Sequence, residues 1–290
     1  GLFTEATTGS AGEIQITVRD LIIDAGARIS ARTATGTAGD ININANANDS
    51  PAEQVTLDGD RSRITARASK KRGIPGEISI HAEDVRVSNN AQITAGSTTQ
   101  NNININGTGG LGNVVLEDVV HLNIVSGGEI SVRTIRGTAG DVDINLNSRQ
   151  PVATLLLDGD ASRITARATR ANGDAGNVNI NARHVTVSDS AQITAANRSS
   201  EASSNTDGDD ATVDSSITLT NVETLDVLHG GQINVRTRTG AAGNVEINPD
   251  NSAPLQTLRV SGNGSLITAR AIAEGGDAGR VQIKGRNFTV

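Results

Sequence analysis

The chain lacks cysteine, tryptophan, tyrosine and methionine, and its 290 residues include only two phenylalanines and five prolines. The absence of cysteine excludes disulfide bonds and thiolate chemistry. Aromatic residues make up 1% of the chain, so a hydrophobic core has to be built from isoleucine, valine, leucine and alanine. A core of this kind is typical of stacked β-strands, which favour β-branched side chains.

Long hydrophobic runs and an excess of positive charge are also missing. The longest apolar stretches are only a few residues long, whereas a membrane-spanning helix needs about 20. We therefore expect that the chain does not span a membrane. The net charge is −7 and the pI is about 5.1. These values oppose nucleic acid as a partner, because binding to it requires a basic face that neutralises phosphates.

A short phrase recurs along the whole length of the chain. It has the form Ile64-Thr65-Ala66-Arg67, in which apolar and polar residues alternate as they do in a strand. Such self-similarity indicates a repeat fold, in which each unit buries its apolar face only against its neighbours. The phrase begins with an isoleucine in eight copies, at Ile29, Ile64, Ile93, Ile130, Ile164, Ile193, Ile233 and Ile267.

Two further apolar phrases complete each repeat unit. One follows a glycine, as in Gly39-Asp40-Ile41-Asn42-Ile43, and the other places apolar residues two apart, as at Leu21 and Ile23. Three short strands with glycine-rich corners predict an all-β fold, a three-sided parallel β-helix. Roughly nine coils, stacked about 4.8 Å apart, would form a rod about 40 Å long. We expect a right-handed helix, because crossovers between parallel strands are overwhelmingly right-handed.

A longer period of three coils overlies the single coil. Ile29, Ile130 and Ile233 are separated by 101 and 103 residues. The period predicts super-repeats at approximately 11–111, 112–214 and 215–290, the last of them incomplete. We expect residues 1–290 to form a single continuous β-helix that is an internal fragment of a longer array.

The coils within a super-repeat differ from one another at their corners. The second coil carries an additional corner residue, visible at Leu57-Asp58-Gly59-Asp60 and again at Leu157-Asp158-Gly159-Asp160. Glycine there is expected to support a sharper turn. The third coil carries a long polar loop, at 96–111 and again at 196–214. We expect both loops to emerge on one side of the rod.

The repeat phrases resemble those of a known family. Ala38-Gly39-Asp40-Ile41-Asn42-Ile43 and Ser190-Ala191-Gln192-Ile193-Thr194-Ala195, with the opening Gly1-Leu2-Phe3-Thr4, are similar to the repeat region of filamentous-haemagglutinin-like large exoproteins, especially the cyanobacterial members. The resemblance covers essentially the whole chain. It implies a right-handed β-helix, export by two-partner secretion, and a surface or adhesive role. The family's secretion domain, with its Asn-Pro-Asn motifs, is absent from the 290 residues, so the export route is an expectation for the parent protein.

Arginine ends six of the eight isoleucine phrases, and alternation points these side chains outward. Stacking would bring them together as three pairs, about 14 Å apart if each coil rises by about 4.8 Å. Guanidinium groups bind carboxylates and sulfates through two parallel hydrogen bonds, although neighbouring acids of this acidic chain could equally neutralise them. The candidate contacts for an anion or a glycan are Arg32, Arg67, Arg133, Arg167, Arg236 and Arg270.

Other residues carry weaker signals, and we expect no catalytic residue, metal site or cofactor. Asp58 and Asp60 offer oxygen ligands for calcium, but turn formation explains them better. The four histidines, at 81, 121, 184 and 229, fall at unrelated repeat positions, which opposes a metal site or a catalytic base. Phe3 and Phe288 fall in slots that hold isoleucine or valine elsewhere, so we expect both in the core.

The sequence thus predicts a non-enzymatic, secreted or cell-surface β-helical rod with a structural and adhesive role. Its expected partners are surface polysaccharide or other copies of itself, and a two-partner secretion transporter for the parent protein. The loops at 96–111 and 196–214 are the preferred places for specific recognition, because loops vary more freely than stacked strands. Two alternatives are open, namely a self-assembling extracellular filament or sheath protein, and a polysaccharide lyase or hydrolase.

Overall fold

The computed structural model describes residues 1–46, 49–70, 73–97, 112–135, 137–169, 173–197, 215–238, 241–249, 253–272 and 276–290. Within these residues the chain forms β-strands joined by turns and contains no helix. No described segment is therefore a helix long and apolar enough to cross a membrane. The paired strands are parallel and form long sheets, as predicted for a parallel β-helix.

The described strands occupy three faces, and a coil passes through faces B, C and A in that order. Face A is a nine-stranded sheet with the strands Leu2–Ala6, Arg28–Thr33, Arg63–Ala68, Gln92–Ser97, Glu129–Thr134, Arg163–Ala168, Gln192–Asn197, Gln232–Thr237 and Leu266–Ala271. Face B contains Ile14–Ile16, Ile41–Ile43, Val114–Glu117, Val142–Ile144, Ile217–Thr220, Val245–Ile247 and Val281–Ile283. Face C contains Asp20–Ile23, Ala52–Asp58, His121–Val125, Val152–Asp158, Thr224–Leu228, Leu255–Ser261 and Gly285–Thr289.

Two long strands connect face B to face C. Ile78–Ser88 and Val178–Ser188 each pair with face B through their first residues and with face C through their last. They join the two faces into one 16-stranded sheet. A separate sheet of two short strands, Gly137–Thr138 and Gly173–Asp174, lies outside the three faces. The three-sided parallel architecture predicted from the sequence is thereby confirmed, whereas its handedness stays a prediction.

The isoleucines of the repeated phrase lie directly above one another in face A. Ile64 pairs with Ile29 on one side and with Ile93 on the other, and the same register continues to Ile267. From Ile29 to Ile233 these side chains are at most 4% exposed. Burying one such side chain stabilises the fold by about 1.5–3 kcal/mol. The predicted stack of isoleucines is therefore confirmed, and it runs along the core.

Glycines between faces A and B allow the backbones of successive coils to approach closely. A Cβ atom at Gly39 would lie 2.0 Å from the carbonyl oxygen of Gly12, and one at Gly76 would lie 2.2 Å from that of Gly39. Gly176 and Gly140 repeat this approach at 1.9 Å. Because only glycine fits at such distances, the corner explains the glycine that opens each unit.

The side chain of the acid or amide that follows this glycine accepts a hydrogen bond from a backbone N–H of the next coil. Asp40 Oδ1 accepts a hydrogen bond from the backbone N–H of Glu77 at 2.8 Å. Asn113 Oδ1 likewise accepts from Asp141 at 2.9 Å, and Asp141 Oδ1 accepts from Asn177 at 2.6 Å. These corner N–H groups would otherwise lack a partner. The Gly-Asp and Gly-Asn pairs thus connect coils in addition to forming a turn.

A buried asparagine holds the corner between faces B and C in every third coil. Asn145 has a φ of 53° and is 1% exposed. Its Oδ1 accepts from the N–H of Val119 at 2.9 Å, while its Nδ2 donates to the carbonyls of Val119 at 2.7 Å and Gln150 at 3.1 Å. Asn44 and Asn248 make the same three bonds. One side chain therefore satisfies three backbone groups in two adjacent coils.

The additional corner residue of the second coil has the expected conformation. Gly59 and Gly159 both have a φ of 92°, in the region that favours glycine. The serine three residues later bonds the preceding coil, because Ser62 Oγ accepts from the N–H of Gly26 at 3.0 Å and Ser162 Oγ accepts from Gly127 at 2.9 Å. The role predicted for glycine at this corner is confirmed.

The predicted core position of Phe3 is wrong. Leu2 pairs with Ile29, so Phe3 stands opposite Ser30 on the outward side of face A and is 57% exposed. Phe288 does take the predicted inward slot, since it pairs with Leu258, although it is 51% exposed. The loops predicted at 96–111 and 196–214 lie outside the described residues from 98 to 111 and from 198 to 214.

Replacing Ile130 or Ile164 with aspartate would place a charge without a partner in the fully buried stack. We expect a loss of more than about 4 kcal/mol in the free energy of unfolding, with disruption of the adjacent coils. Thermal unfolding followed by circular dichroism measures this loss. Arg133→Ala, an outward change on the strand of Ile130, is the control and should cost less than about 0.5 kcal/mol. An unchanged Tm in Ile130→Asp would contradict the register of face A.

Asn145→Ala would leave three backbone groups without partners and an alanine at positive φ. We expect a loss of about 2–4 kcal/mol in urea unfolding. Asn145→Gly accepts the positive φ and should recover about 1 kcal/mol of that loss. The control is Asn123→Ala, on the neighbouring part of face C. Equal stability of the Asn145→Ala and Asn123→Ala variants would rule out the proposed role of the buried amide.

Candidate functional site

The outward side of face A carries three parallel columns of side chains. They lie one residue before each isoleucine, one residue after it and three residues after it, and the common register stacks equivalent positions. The first column contains Arg28, Arg63, Gln92, Glu129, Arg163, Gln192, Gln232 and Leu266. The second contains Ser30, Thr65, Thr94, Ser131, Thr165, Thr194, Asn234 and Thr268. The third contains Arg32, Arg67, Gly96, Arg133, Arg167, Ala196, Arg236 and Arg270.

All six arginines singled out in the sequence lie in the third column. They stack as three pairs in adjacent coils, namely Arg32 on Arg67, Arg133 on Arg167, and Arg236 on Arg270. Gly96 and Ala196 occupy the coils between the pairs. The structure therefore brings the predicted contacts together on one face of the rod, at an interval of three coils.

The arginine pairs differ in their surroundings. Arg32 lies 3.9 Å from Glu5, in an exposed ion pair of little energetic weight. Arg236 donates from its Nε to the Oδ1 of Asn234 at 2.9 Å. Within the described residues, Arg67 and Arg133 form no salt bridge. Arg67 and Arg133, which flank Gly96, therefore have no acidic partner among the described residues.

A groove of about 580 Å³ opens at Gly96, between the first and the second arginine pair. Arg63 and Arg67 lie on one side of it, and Arg133 and Arg163 lie on the other. A Cβ atom at position 96 would lie 2.0 Å from the carbonyl oxygen of Arg133, so the close approach of the two backbones keeps this position without a side chain. The missing side chain leaves the gap in the arginine column.

Hydroxyl groups of the second column lie between the arginines of the groove. Thr65, Thr94 and Ser131 line it. Thr94 Oγ1 and Ser131 Oγ lie 3.1 Å apart and share a hydrogen bond, and Ser131 is only 1% exposed. Thr65 and Thr94 are half-buried. Their hydroxyls can both donate and accept hydrogen bonds.

Positive charge dominates the groove. Four arginines and one glutamate line it, which gives a net charge of +3 (4 − 1). The glutamate, Glu129, is held by Arg163 at 2.8 Å. The Nε of Arg63 is buried and has no hydrogen-bond acceptor. The pKa of Arg67 is lowered mainly by burial. The positive charges of Arg32, Arg133 and Arg63 lower it further.

Face B and its corners carry charge of the opposite sign. The carboxylates of Asp40, Glu77, Glu117, Asp141 and Asp143 lie here, and none of them forms a salt bridge within the described residues. Burial and Asp40 raise the pKa of the Glu77 carboxyl. Burial, Asp141 and Glu117 raise that of Asp143, although a hydrogen bond from Asn179 opposes the increase.

The aspartates considered as calcium ligands have structural contacts instead. Asp58 Oδ1 accepts from Ser88 Oγ at 2.7 Å and from Asn89 Nδ2 at 2.8 Å, and these bonds lower the pKa of Asp58. Ser188 makes the corresponding bond to Asp158. Across the described parts of the chain, no three His, Asp or Glu side chains lie close enough to hold a metal ion.

The prediction that all four histidines occupy unrelated repeat positions is wrong for two of them. His121 and His184 lie in one outward column of face C, two coils apart, and Thr154 stands between them. His121 Nδ1 lies 2.8 Å from Thr154 Oγ1, and His184 Nδ1 lies 2.9 Å from Thr224 Oγ1. Each ring thus bonds a threonine of the next coil. Differences in loop length concealed this equivalence in the sequence.

The first column also belongs to the site, and this was not predicted from the sequence. Arg63 and Arg163 line the groove together with the predicted Arg67 and Arg133. A signal was present, because Arg63-Ile64-Thr65-Ala66-Arg67 recurs as Arg163-Ile164-Thr165-Ala166-Arg167. Residues four apart in a strand lie on the same side of it, so both arginines of this phrase point outward.

Asp143→Asn should stabilise the protein at neutral pH by up to about 1 kcal/mol. The raised pKa of Asp143 means that the folded state favours the protonated form, so its charge opposes folding above that pKa and this effect is lost as the pH falls. The gain in Tm over the wild type should therefore shrink between pH 7 and pH 4. Asp84→Asn on face C is the control. A gain that does not change with pH would refute the electrostatic cause.

The resemblance to filamentous-haemagglutinin-like exoproteins stays a prediction carried by the repeat phrases themselves. Comparisons with models of protein families, with curated proteins and with solved structures found no match to this chain.

Proposed function

We propose that this protein is a non-enzymatic β-helical rod that acts outside the cell, with a structural role and an adhesive face along its length. The observation that carries the proposal is the outward arginine column of face A, in which stacked pairs recur every three coils. The proposed adhesive partner is a surface polysaccharide that carries negative charges.

The core supplies the stiffness that such a role requires. The buried apolar residues form one cluster from Ile14 to Leu258, and parallel pairing links each coil to the next. Side chains on this frame keep fixed distances from one another. Weak contacts to a repetitive ligand can then act simultaneously, which raises the overall affinity without a strong single site.

The proposed location outside the cell rests on the resemblance of the repeat phrases to filamentous-haemagglutinin-like exoproteins. These proteins leave the cell by two-partner secretion, so the proposed export partner of the parent protein is a transporter of that system. The absence of cysteine fits many environments and does not decide between them.

Self-assembly into an extracellular filament or sheath is a second candidate function. The opposite charges of faces A and B favour it, because complementary charges steer association. A contact between face A of one copy and face B of the next joins two different surfaces, so it can repeat from copy to copy and build an extended assembly. Electron microscopy of concentrated protein at low salt tests this alternative, and ordered arrays that dissolve at high salt would support it.

A polysaccharide lyase or hydrolase is the least favoured candidate. Glycosidases place two carboxyl groups about 5–10 Å apart across the scissile bond. Among the described residues that line the groove, the acid is Glu129, and Arg163 already neutralises it. New reducing ends released from a panel of polysaccharides would establish catalysis and refute the proposal.

Retention on immobilised acidic and neutral polysaccharides, measured across a salt titration, tests the adhesive role. We expect retention on acidic polymers only, weakening as salt rises. Arg133→Ala with Arg167→Ala should reduce retention at least about tenfold, because it removes one stacked pair. Arg86→Ala with Arg259→Ala removes the same charge from exposed positions on face C and should retain wild-type binding. A lack of retention at every salt concentration would refute the adhesive role and leave only the structural one.

A further inference from the structure

We propose that the groove at Gly96 is a defined binding site for a segment of uronate-type polysaccharide, whose carboxylates are bound by Arg63, Arg67 and Arg133. This inference rests on the proposed adhesive function and goes further, because it assigns one site and one ligand class. It differs from adhesion along the whole column, since the groove would bind a short oligosaccharide with one site per chain.

The first support is the absence of internal partners for these cations. Within the described residues, Arg63, Arg67 and Arg133 form no salt bridge, although the chain as a whole is acidic. The buried Nε of Arg63 has no acceptor. This Nε is therefore an exception, because buried donors are nearly always hydrogen-bonded in folded proteins.

The second support is the size and spacing of the groove. Arg63 and Arg67 are four residues apart on one strand, about 13 Å along the backbone, and Arg67 and Arg133 are two strands apart, about 10 Å. The volume of about 580 Å³ is in the range of sites for extended small molecules and far exceeds a single carboxylate. Charges distributed in this way match a ligand that carries several acid groups along its length.

The third support is the polar lining between the arginines. Thr65 and Thr94 present half-buried hydroxyls, and Glu129 presents carboxylate oxygens beside Arg163. Sugar hydroxyls can donate to Glu129 and can exchange hydrogen bonds with the threonines. A lone phosphate or sulfate would make no use of these groups.

The equivalent position three coils further along has different contacts. Ala196 stands where Gly96 stands in the first super-repeat, between Arg167 and Arg236. Arg236 is bonded to Asn234, which replaces a hydroxyl of the second column. The combination of a gap, flanking arginines without acids and a lining of hydroxyls therefore belongs to the Gly96 groove.

The chemistry favours a sugar polymer over nucleic acid. Proteins that bind single-stranded nucleic acid stack its bases on aromatic side chains, and this chain contains no tryptophan or tyrosine. Carboxylates match the planar guanidinium through two parallel hydrogen bonds.

The test is isothermal titration calorimetry of the full 290-residue chain with tetragalacturonate. The comparison ligands are the matching neutral tetrasaccharide, a sulfated tetrasaccharide and a short oligothymidylate. We expect one site per chain for tetragalacturonate, an affinity that falls with salt, and no binding of the neutral sugar. Equal or tighter binding of the sulfated sugar or of oligothymidylate would overturn the assigned ligand class.

Variants identify the groove as the site. Arg67→Ala with Arg133→Ala should weaken binding roughly 100-fold, and Arg67→Lys with Arg133→Lys should weaken it roughly tenfold, because lysine keeps the charge but loses the planar fork. Arg86→Ala with Arg259→Ala, on face C, should leave the affinity unchanged within about twofold. Thermal unfolding of each variant shows whether it is folded. Equal affinity of the lysine variant and the wild type would refute bidentate recognition.

Two further outcomes separate this inference from the proposed function. Retention on polygalacturonate without binding of tetragalacturonate would refute the groove as a binding site but would leave the proposed adhesive role of the arginine column intact. A lack of retention on polygalacturonate would refute both. Sedimentation velocity tests whether the groove instead binds a second copy of this chain. Self-association that depends on Arg67 and Arg133, without binding of tetragalacturonate, would show that the groove binds another copy and would overturn the inference.

Discussion

The structure depends on one constraint, which is that an inward side chain can be buried only by equivalent side chains in its own coil and in the coils above and below. Burial is complete only if every coil enters the stack in the same register. Ile64, Ile93 and Ile130 meet this condition, since each pairs with the next and is fully buried. A slip of one residue would turn the apolar side of a strand outward. The parallel sheets are therefore as much a consequence of side-chain stacking as of backbone hydrogen bonds.

Corner residues maintain this register between strands. The glycines between faces A and B permit backbone contacts that no other residue allows, and the following acid or amide bonds the next coil. Asn145 fixes the corner between faces B and C in two coils at once. The corners also account for the three-coil period, because the asparagine recurs in one coil and the uninterrupted strands Ile78–Ser88 and Val178–Ser188 occur in the next.

The outward side chains take their order from the same stacking. A position that repeats in the sequence becomes a column on the surface, so six arginines align without any direct attraction between them. Their mutual repulsion is part of the reason why the pKa of Arg67 is lowered. A local departure from the repeat then produces a specific feature. At Gly96 the missing side chain converts a regular column into a groove with a net positive charge.

The sequence by itself determined the strands, the parallel stacking of coils, the isoleucine core and the outward arginine pairs, because all of these follow from alternation within a strand and from repetition between strands. Only the tertiary structure decided which residues become neighbours across corners of unequal length. The side-chain amide of Asn145 is buried because it hydrogen-bonds the backbone N–H and carbonyl of Val119, 26 residues away. His121 and His184 share a column that their sequence spacing conceals, and Phe3 faces outward because Leu2 takes the inward slot. The charge of the groove, too, depends on which acids lie near each arginine, and spatial contacts decide this.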